Sequence, residues 1–176
     1  MTNLARRPVP PPPYAQPAML LSELAGRVPA AVVEAGGEFE VRRLTYDSRT
    51  ATAGDLFVAV AGLRVDGHDY AAAAAAQGAA VALERPVPLP PGTPWLRLGD
   101  TRWGLGELAA ALHGRPARRL LMAGVTGTDG KTTVTHMAAH VLESAGVRTG
   151  FLSTVVQRAG DVGADNITGL STMEDP

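Results

Sequence analysis

The sequence predicts an α/β protein with mainly parallel sheets, organised as two units. Three observations carry this. Short apolar runs alternate with helical patterns along most of the chain. The run Leu120-Leu121-Met122-Ala123 leads through a glycine-rich turn into a helical pattern from Thr132 to about Ser144. The composition breaks over residues 99–117, with a small α/β pattern before it and a phosphate-loop pattern after it.

Taken in order, residues 1–17 form a tail carrying Pro8 and Pro10 to Pro13, of disordered or polyproline character. Met19 to Ala25 reads as a short helix with Leu20, Leu21 and Leu24 on one face. Phe39 to Thr45 alternates weakly, as a strand does. Asp55 to Ala61 is a clear strand opened by the turn pair Gly54-Asp55. Asp69 to Gln77 holds six successive alanines, the best helix formers, and Gly78 stops the helix. Ala79 to Leu83 and Trp95 to Leu98 read as strands, with a proline-rich loop from Pro86 between them. Thr101 is placed to cap a helix over Trp103–Leu112, which Gly114 and Pro116 end. Beyond the helix ending at Gly146, Arg148 to Val156 reads as a strand and Gly160 to Gly163 as a hairpin turn.

Bulk properties exclude several classes. The chain has 176 residues, 45% hydrophobic and 19% charged, enough for a packed core. A net charge of −1 without a basic block argues against nucleic-acid binding. The absence of cysteine removes disulfides, thiolate metal sites and cysteine nucleophiles. No apolar run has the length of a membrane span, and prolines rather than an apolar segment follow Arg6-Arg7, so a cytoplasmic location is expected.

The chemistry concentrates in Val125-Thr-Gly-Thr-Asp-Gly-Lys-Thr-Thr133. Gly127 and Gly130 let several backbone N–H groups converge on one anion, and the helix N-terminus adds partial positive charge there. Lys131 has the reach for terminal phosphates, and the Thr132 hydroxyl suits a Mg²⁺ ion held by them. The strict phosphate-loop pattern wants glycine where Val125 stands, but the core Gly-x-x-Gly-Lys-Thr-Thr is intact. Elsewhere ordinary roles prevail. His136 and His140 have two-histidine metal spacing without a third ligand, so packing or surface placement is expected. Turn chemistry accounts for Asp47 and Asp55. Arg118-Arg119 reads as a solvated linker, and Trp95 and Trp103 as core or domain-contact residues.

Several segments together resemble the Mur ligase family. Thr126-Gly-Thr-Asp-Gly-Lys-Thr-Thr133 is similar to its ATP loop. Thr45-Tyr-Asp-Ser-Arg-Thr50, Gly54-Asp-Leu-Phe-Val-Ala-Val-Ala-Gly62, Asp66-Gly-His68 and Gly78-Ala-Ala-Val-Ala-Leu-Glu84 resemble the amino-terminal domain of its MurE-type branch. Ser171-Thr-Met-Glu-Asp-Pro176 is similar to a further segment of that branch. The resemblance implies a small UDP-binding α/β domain over residues 18–98, a linker helix over 99–117, and the start of a P-loop, Rossmann-like ATP-binding domain over 118–176. That second domain is expected to be incomplete as given, since doubly wound domains need several more strands, and whether the chain continues beyond Pro176 is not legible.

The resemblance also assigns residues. Tyr46, Ser48, Leu63, Arg64 and Val65 lie where the family holds the uridine-diphosphate part of its substrate. Gly127, Thr128, Asp129, Gly130, Lys131, Thr132 and Thr133 are implied to hold ATP, with Lys131 catalytic and Thr132 on Mg²⁺. Ser171 and Thr172 are implied to touch the muramoyl-peptide, and Glu174 to lie near the metal. The implied reaction adds a diamino acid, as third residue, to UDP-N-acetylmuramoyl-L-alanyl-D-glutamate through an acyl phosphate. Asp129 in place of the usual Asn and Met173 in place of Pro depart from the family pattern. Two other readings stay open: a stand-alone UDP- or ATP-binding module without ligase activity, and another ligase of the superfamily. The third amino acid and the oligomeric state are not legible.

Overall fold

The computed structural model describes residues 18–62, 65–160 and 162–165. The chain divides into two compact units, with the boundary between Leu120 and Leu121.

The first unit is built on a five-stranded sheet. In chain order its elements are β1 (Met19–Leu20), α1 (Leu21–Gly26), β2 (Val32–Ala35), β3 (Glu40–Val41), β4 (Arg43–Thr45), β5 (Asp55–Val58), α2 (Ala71–Ala76), β6 (Ala80–Leu83), β7 (Trp95–Arg97) and α3 (Thr101–Leu112). The sheet order is β2-β7-β6-β5-β4. Strands β4 to β7 are mutually parallel, and β2 adds an antiparallel edge against β7. β1 and β3 form a separate antiparallel pair.

Every residue of β5 and β6 is buried, as expected for central strands covered on both faces. The two-residue alternation divides them. Leu56, Val58, Ala80, Ala82, Leu96 and Leu98 pack with Leu21, Leu24, Leu108 and Leu112 from α1 and α3. Phe57, Ala59, Val81 and Leu83 face the other way, onto Ala71 and Ala74 of α2. The alanine run thus does two things. It favours helix, and its small side chains let α2 lie close to the sheet. Burying Phe57 or Leu56 contributes about 1.5–3 kcal/mol each.

The sequence reading needs correction in several places. The helix of segment 99–117 contributes Leu108, Ala111 and Leu112 to the core of the first unit. The α3 cap is Asp100, whose Oδ1 accepts from Trp103 N at 2.8 Å, while Thr101 is buried and bonded to Glu84. Trp103 is exposed rather than in the core. Phe39–Thr45 divides between β3 and β4, because Arg42 N turns aside to bond Gly54 O at 2.8 Å. The edge strand β2 lacks a strong sequence signal because its four residues sit between a turn with Gly26 and Pro29 and the Gly36-Gly37 turn.

The second unit contains α4 (Lys131–Ser144) and an antiparallel meander of β8 (Gly150–Leu152), β9 (Val156–Ala159) and β10 (Val162–Asp165). The hairpin turn lies between Ala159 and Val162, and the sheet is antiparallel rather than parallel. Phe151 of β8 lies 4.6 Å from the His136 ring of α4, with the Arg158 guanidinium 5.1 Å from the Phe151 centroid. Arg158 also pairs with Glu143 of α4. Leu120 to Ala123 is not a strand, and Leu121 and Met122 are fully or largely exposed. A parallel strand exists only through ladder bonds to neighbours, and no strand pairs with this run among the described residues.

Candidate functional site

Two clusters of candidate residues fall in separate units. In the first, parallel β4 and β5 deliver their loops to the same edge of the sheet, the edge where open α/β sheets receive ligands. Tyr46 and Ser48 follow β4, and Val65 lies in the loop after β5. Tyr46 and Val65 are exposed, and Ser48 is half-buried. Leu63 and Arg64 lie outside the described residues, as do Ser171, Thr172 and Glu174.

The turn after β4 is fixed by its own polar groups. Asp47 Oδ1 accepts from Arg49 N at 3.0 Å, and Asp47 N donates to Thr45 Oγ1 at 3.1 Å. Thr50 Oγ1 donates to Asp47 O at 3.0 Å. The Arg49 guanidinium and backbone N–H pull the Asp47 carboxyl down to about 2. These bonds leave the Tyr46 ring turned out to solvent and anchor Ser48 through its carbonyl, which accepts from Gln77 Nε2 at 3.0 Å. The half-buried strand end is tied by Asp55, which receives Arg43 Nη2 at 2.6 Å and Thr52 N at 2.8 Å. Burial works against the Asp55 anion, but Arg43 and Thr52 outweigh it and hold its pKa below the usual range.

The loop after β5 is closed by Gly62 N to Val65 O at 2.9 Å and Gly67 N to Val60 O at 3.0 Å. A Cβ at Gly67 would meet the Val60 backbone at 2.7 Å, so only glycine permits this approach. A network unread in the sequence braces the loop. Asp66 accepts from His68 N at 2.9 Å, from His68 Nδ1 at 2.7 Å and from Arg85 Nη2 at 2.7 Å. Arg85, then the His68 backbone and ring, hold the Asp66 carboxyl far below the ordinary carboxylate range. The Asp-Gly-His triplet after a strand was the available signal: a carboxylate two residues before a histidine can accept from both its N–H and its ring.

In the second unit, Gly127 and Gly130 have φ of 146° and 75°. Gly130 caps α4 in the left-handed region without a side-chain bond, so the first-turn N–H groups stay available to an anion. Lys131 Nζ donates to Gly127 O at 2.6 Å and Thr128 O at 3.3 Å, folded back over the loop. Thr132 Oγ1 lies 3.5 Å from Thr154 Oγ1. Thr128, Asp129 and Thr133 are exposed. This donor set fits a polyphosphate: backbone N–H groups, one ammonium and a hydroxyl. Among the described residues no group of three acidic or histidine side chains able to hold a metal occurs, and Thr132 at the head of α4 is the residue here that fits a phosphate-bound Mg²⁺ ion. The His136 ring packs at a tilt of 55° against Phe151, and the His140 carbonyl accepts from Ser144 Oγ, both structural contacts.

Both clusters fall inside segments that match known families. Residues 40–88 match the model described as Mur ligase family, catalytic domain, and residues 125–174 match the Mur ligase middle domain. The chain belongs to the Mur ligase family. Among curated relatives of this Mur ligase chain, UDP-N-acetylmuramoyl-L-alanyl-D-glutamate--2,6-diaminopimelate ligase of Geobacillus thermodenitrificans is 42% identical over 144 residues, covering 81% of this chain and 29% of that protein. The same-named ligase of Streptomyces avermitilis is 42% identical over 159 residues, covering 88% and 31%. UDP-N-acetylmuramyl-tripeptide synthetase of Roseiflexus is 43% identical over 143 residues, covering 78% and 27%. The chain therefore spans about three-tenths of the length of these relatives.

Solved structures agree on the fold. A UDP-N-acetylmuramoyl-L-alanyl-D-glutamate--2,6-diaminopimelate ligase matches with a TM-score of 0.63 at 22% identity, covering 84% of this chain and 30% of that one. MurF from Acinetobacter baumannii matches with a TM-score of 0.60 at 29% identity, covering 74% and 29%.

Proposed function

We propose that this Mur ligase chain carries the UDP-sugar site and the ATP loop of an amide ligase that adds the third amino acid to UDP-N-acetylmuramoyl-L-alanyl-D-glutamate. The observation that carries the reading is the pairing of two sites in two units. Tyr46, Ser48 and Val65 share one edge of a parallel sheet, and Gly127–Thr133 form a glycine-capped turn at the head of α4 whose free N–H groups suit an anion. The names of the relatives support the choice of substrate.

In this reading the first unit holds the uridine diphosphate by backbone groups, the Ser48 hydroxyl and the Tyr46 ring, with Leu63 and Arg64 contributing. The second unit holds the ATP phosphates. Lys131 leaves the Gly127 and Thr128 carbonyls and turns to the terminal phosphates, and the α4 N–H groups take the remaining charge. A Mg²⁺ ion on Thr132 would neutralise phosphate charge. The γ-phosphoryl passes to the D-glutamyl carboxylate, releasing ADP. The amine of a diamino acid then attacks the acyl carbon and inorganic phosphate leaves. Ser171, Thr172 and Glu174 are assigned to the peptide end of this substrate and the metal region.

The 176-residue chain assayed alone should bind nucleotides without completing ligation, since it spans about three-tenths of the relatives' length. The test is calorimetric titration with UDP-N-acetylmuramoyl-L-alanyl-D-glutamate, alongside an ADP-release assay. Binding competed by UDP, without substrate-dependent ADP release, supports the reading. No binding of the UDP-sugar overturns it.

A further inference from the structure

The His68 side chain is completely enclosed, yet it lies in neither apolar cluster and has no part in the reaction just described. Its partners are all polar and all belong to loop ends. Nδ1 lies 2.7 Å from Asp66 Oδ1, and the backbone N–H of Glu84 donates to Nε2 at 2.9 Å. A backbone N–H only donates, so Nε2 carries no proton and Nδ1–H must point at Asp66. The ring therefore bridges the loop that leaves β5 and the turn that leaves β6. Arg85, next to Glu84, closes a second tie by donating to Asp66 Oδ2 at 2.7 Å.

We propose that His68 is the positioning residue of the nucleotide loop: its imidazole ties Asp66 and Gly67 to the end of β6 and so presents Val65 to the uridine diphosphate. The functional half rests on the UDP reading of the first unit. The geometry distinguishes this role from simple core filling. An apolar side chain would occupy the same volume but would take the ring donor from Asp66, leaving it the His68 backbone N–H and Arg85, and would leave Glu84 N–H without its acceptor. The sheet beneath does not depend on the ring, since Val81 N bonds Pro94 O and Leu98 N bonds Leu83 O. The consequence of losing the ring is a loosened loop over an intact sheet.

The test uses the full chain and two variants, His68→Leu and His68→Asn. The asparagine variant keeps a donor near Asp66 but cannot reach Glu84. Amide hydrogen exchange reads the tie directly, through the Gly62 and Gly67 N–H groups that close the loop. In both variants these two amides should exchange at least tenfold faster, while Val81 and Leu98 keep their protection. UDP affinity, measured by calorimetry, should fall at least tenfold. Leu24→Ala, a core change on the opposite face of the sheet, should lower the melting temperature and leave UDP affinity as in the parent. Unchanged exchange at Gly62 and Gly67 in both variants overturns the tie. Faster exchange with unchanged UDP affinity overturns the positioning role, and a parent chain that binds no UDP overturns the nucleotide reading beneath it.

Discussion

Lys131 Nζ lies 2.6 Å from the carbonyl oxygen of Gly127, four residues back along the same loop. The ammonium rests on its own cradle, held by a dipole it can exchange for a phosphate. That exchange is favourable because a charged acceptor bonds an ammonium more strongly than a neutral carbonyl does.

Lys131→Ala should therefore weaken ATP binding roughly ten- to a hundredfold, the loss expected for a hydrogen bond to a charged group of about 1.5–3 kcal/mol. Melting temperature should hardly change, since the lysine supports no core contact. Calorimetry with ATP on the parent and variant checks both statements.

Thr132→Ala should weaken ATP binding in the presence of Mg²⁺ and leave it nearly unchanged in a chelator. Among the described residues the hydroxyl has a long contact to Thr154 to lose, so its removal acts mainly through the ion. Equal losses with and without Mg²⁺ would argue against the ion assignment.

Asp55 sets a pH dependence. Its side chain is 5% exposed, and its folded pKa lies below the usual value. An unfolded aspartate titrates near about 3.9. The ionised pair with Arg43 thus stabilises the fold above that value, and the contribution is lost as pH falls through the lower folded value. The melting temperature should drop on acidification below about pH 4. Asp55→Asn should melt lower at pH 7, by about 1–3 kcal/mol of stability, and should show a shallower acid decline. Melts followed by circular dichroism across pH 3 to 7 decide this.

Two glycines should respond in opposite directions. Gly67→Ala forces a Cβ to 2.7 Å from the Val60 backbone, which cannot yield without moving the loop, so stability and UDP affinity should both fall. Gly106 lies exposed in α3 with nothing within 4 Å of an added Cβ. Gly106→Ala should stabilise by about 0.5–1 kcal/mol. Thermal melts of the two variants suffice.

Local signals made much of this fold legible. The alanine run, the apolar blocks that became β5 and β6, and the Gly-Lys-Thr-Thr turn into α4 depend on neighbours in sequence. What was not legible depends on neighbours in space. Leu120–Ala123 has the composition of a buried strand but no partner to bond among the described residues. Asp100 rather than Thr101 caps α3 because Glu84, seventeen residues earlier, claims the threonine. Glu84 and Arg85 could not be linked to His68 and Asp66 without the sheet that sets the ends of β5 and β6 side by side. The candidate phosphate loop was legible because its residues are contiguous; the bracing of the loop after β5 was not, because it is assembled from two loops.

The central claim is that two nucleotides bind two separate units. An amide-resolved NMR titration of the labelled chain, first with UDP and then with ATP and Mg²⁺, tests it most directly. The account predicts that UDP shifts the Tyr46, Ser48 and Val65 amides and that ATP shifts those of residues 127–133. Movement of the same amides by both nucleotides, or no response of Tyr46, Ser48 and Val65 to UDP, would contradict it.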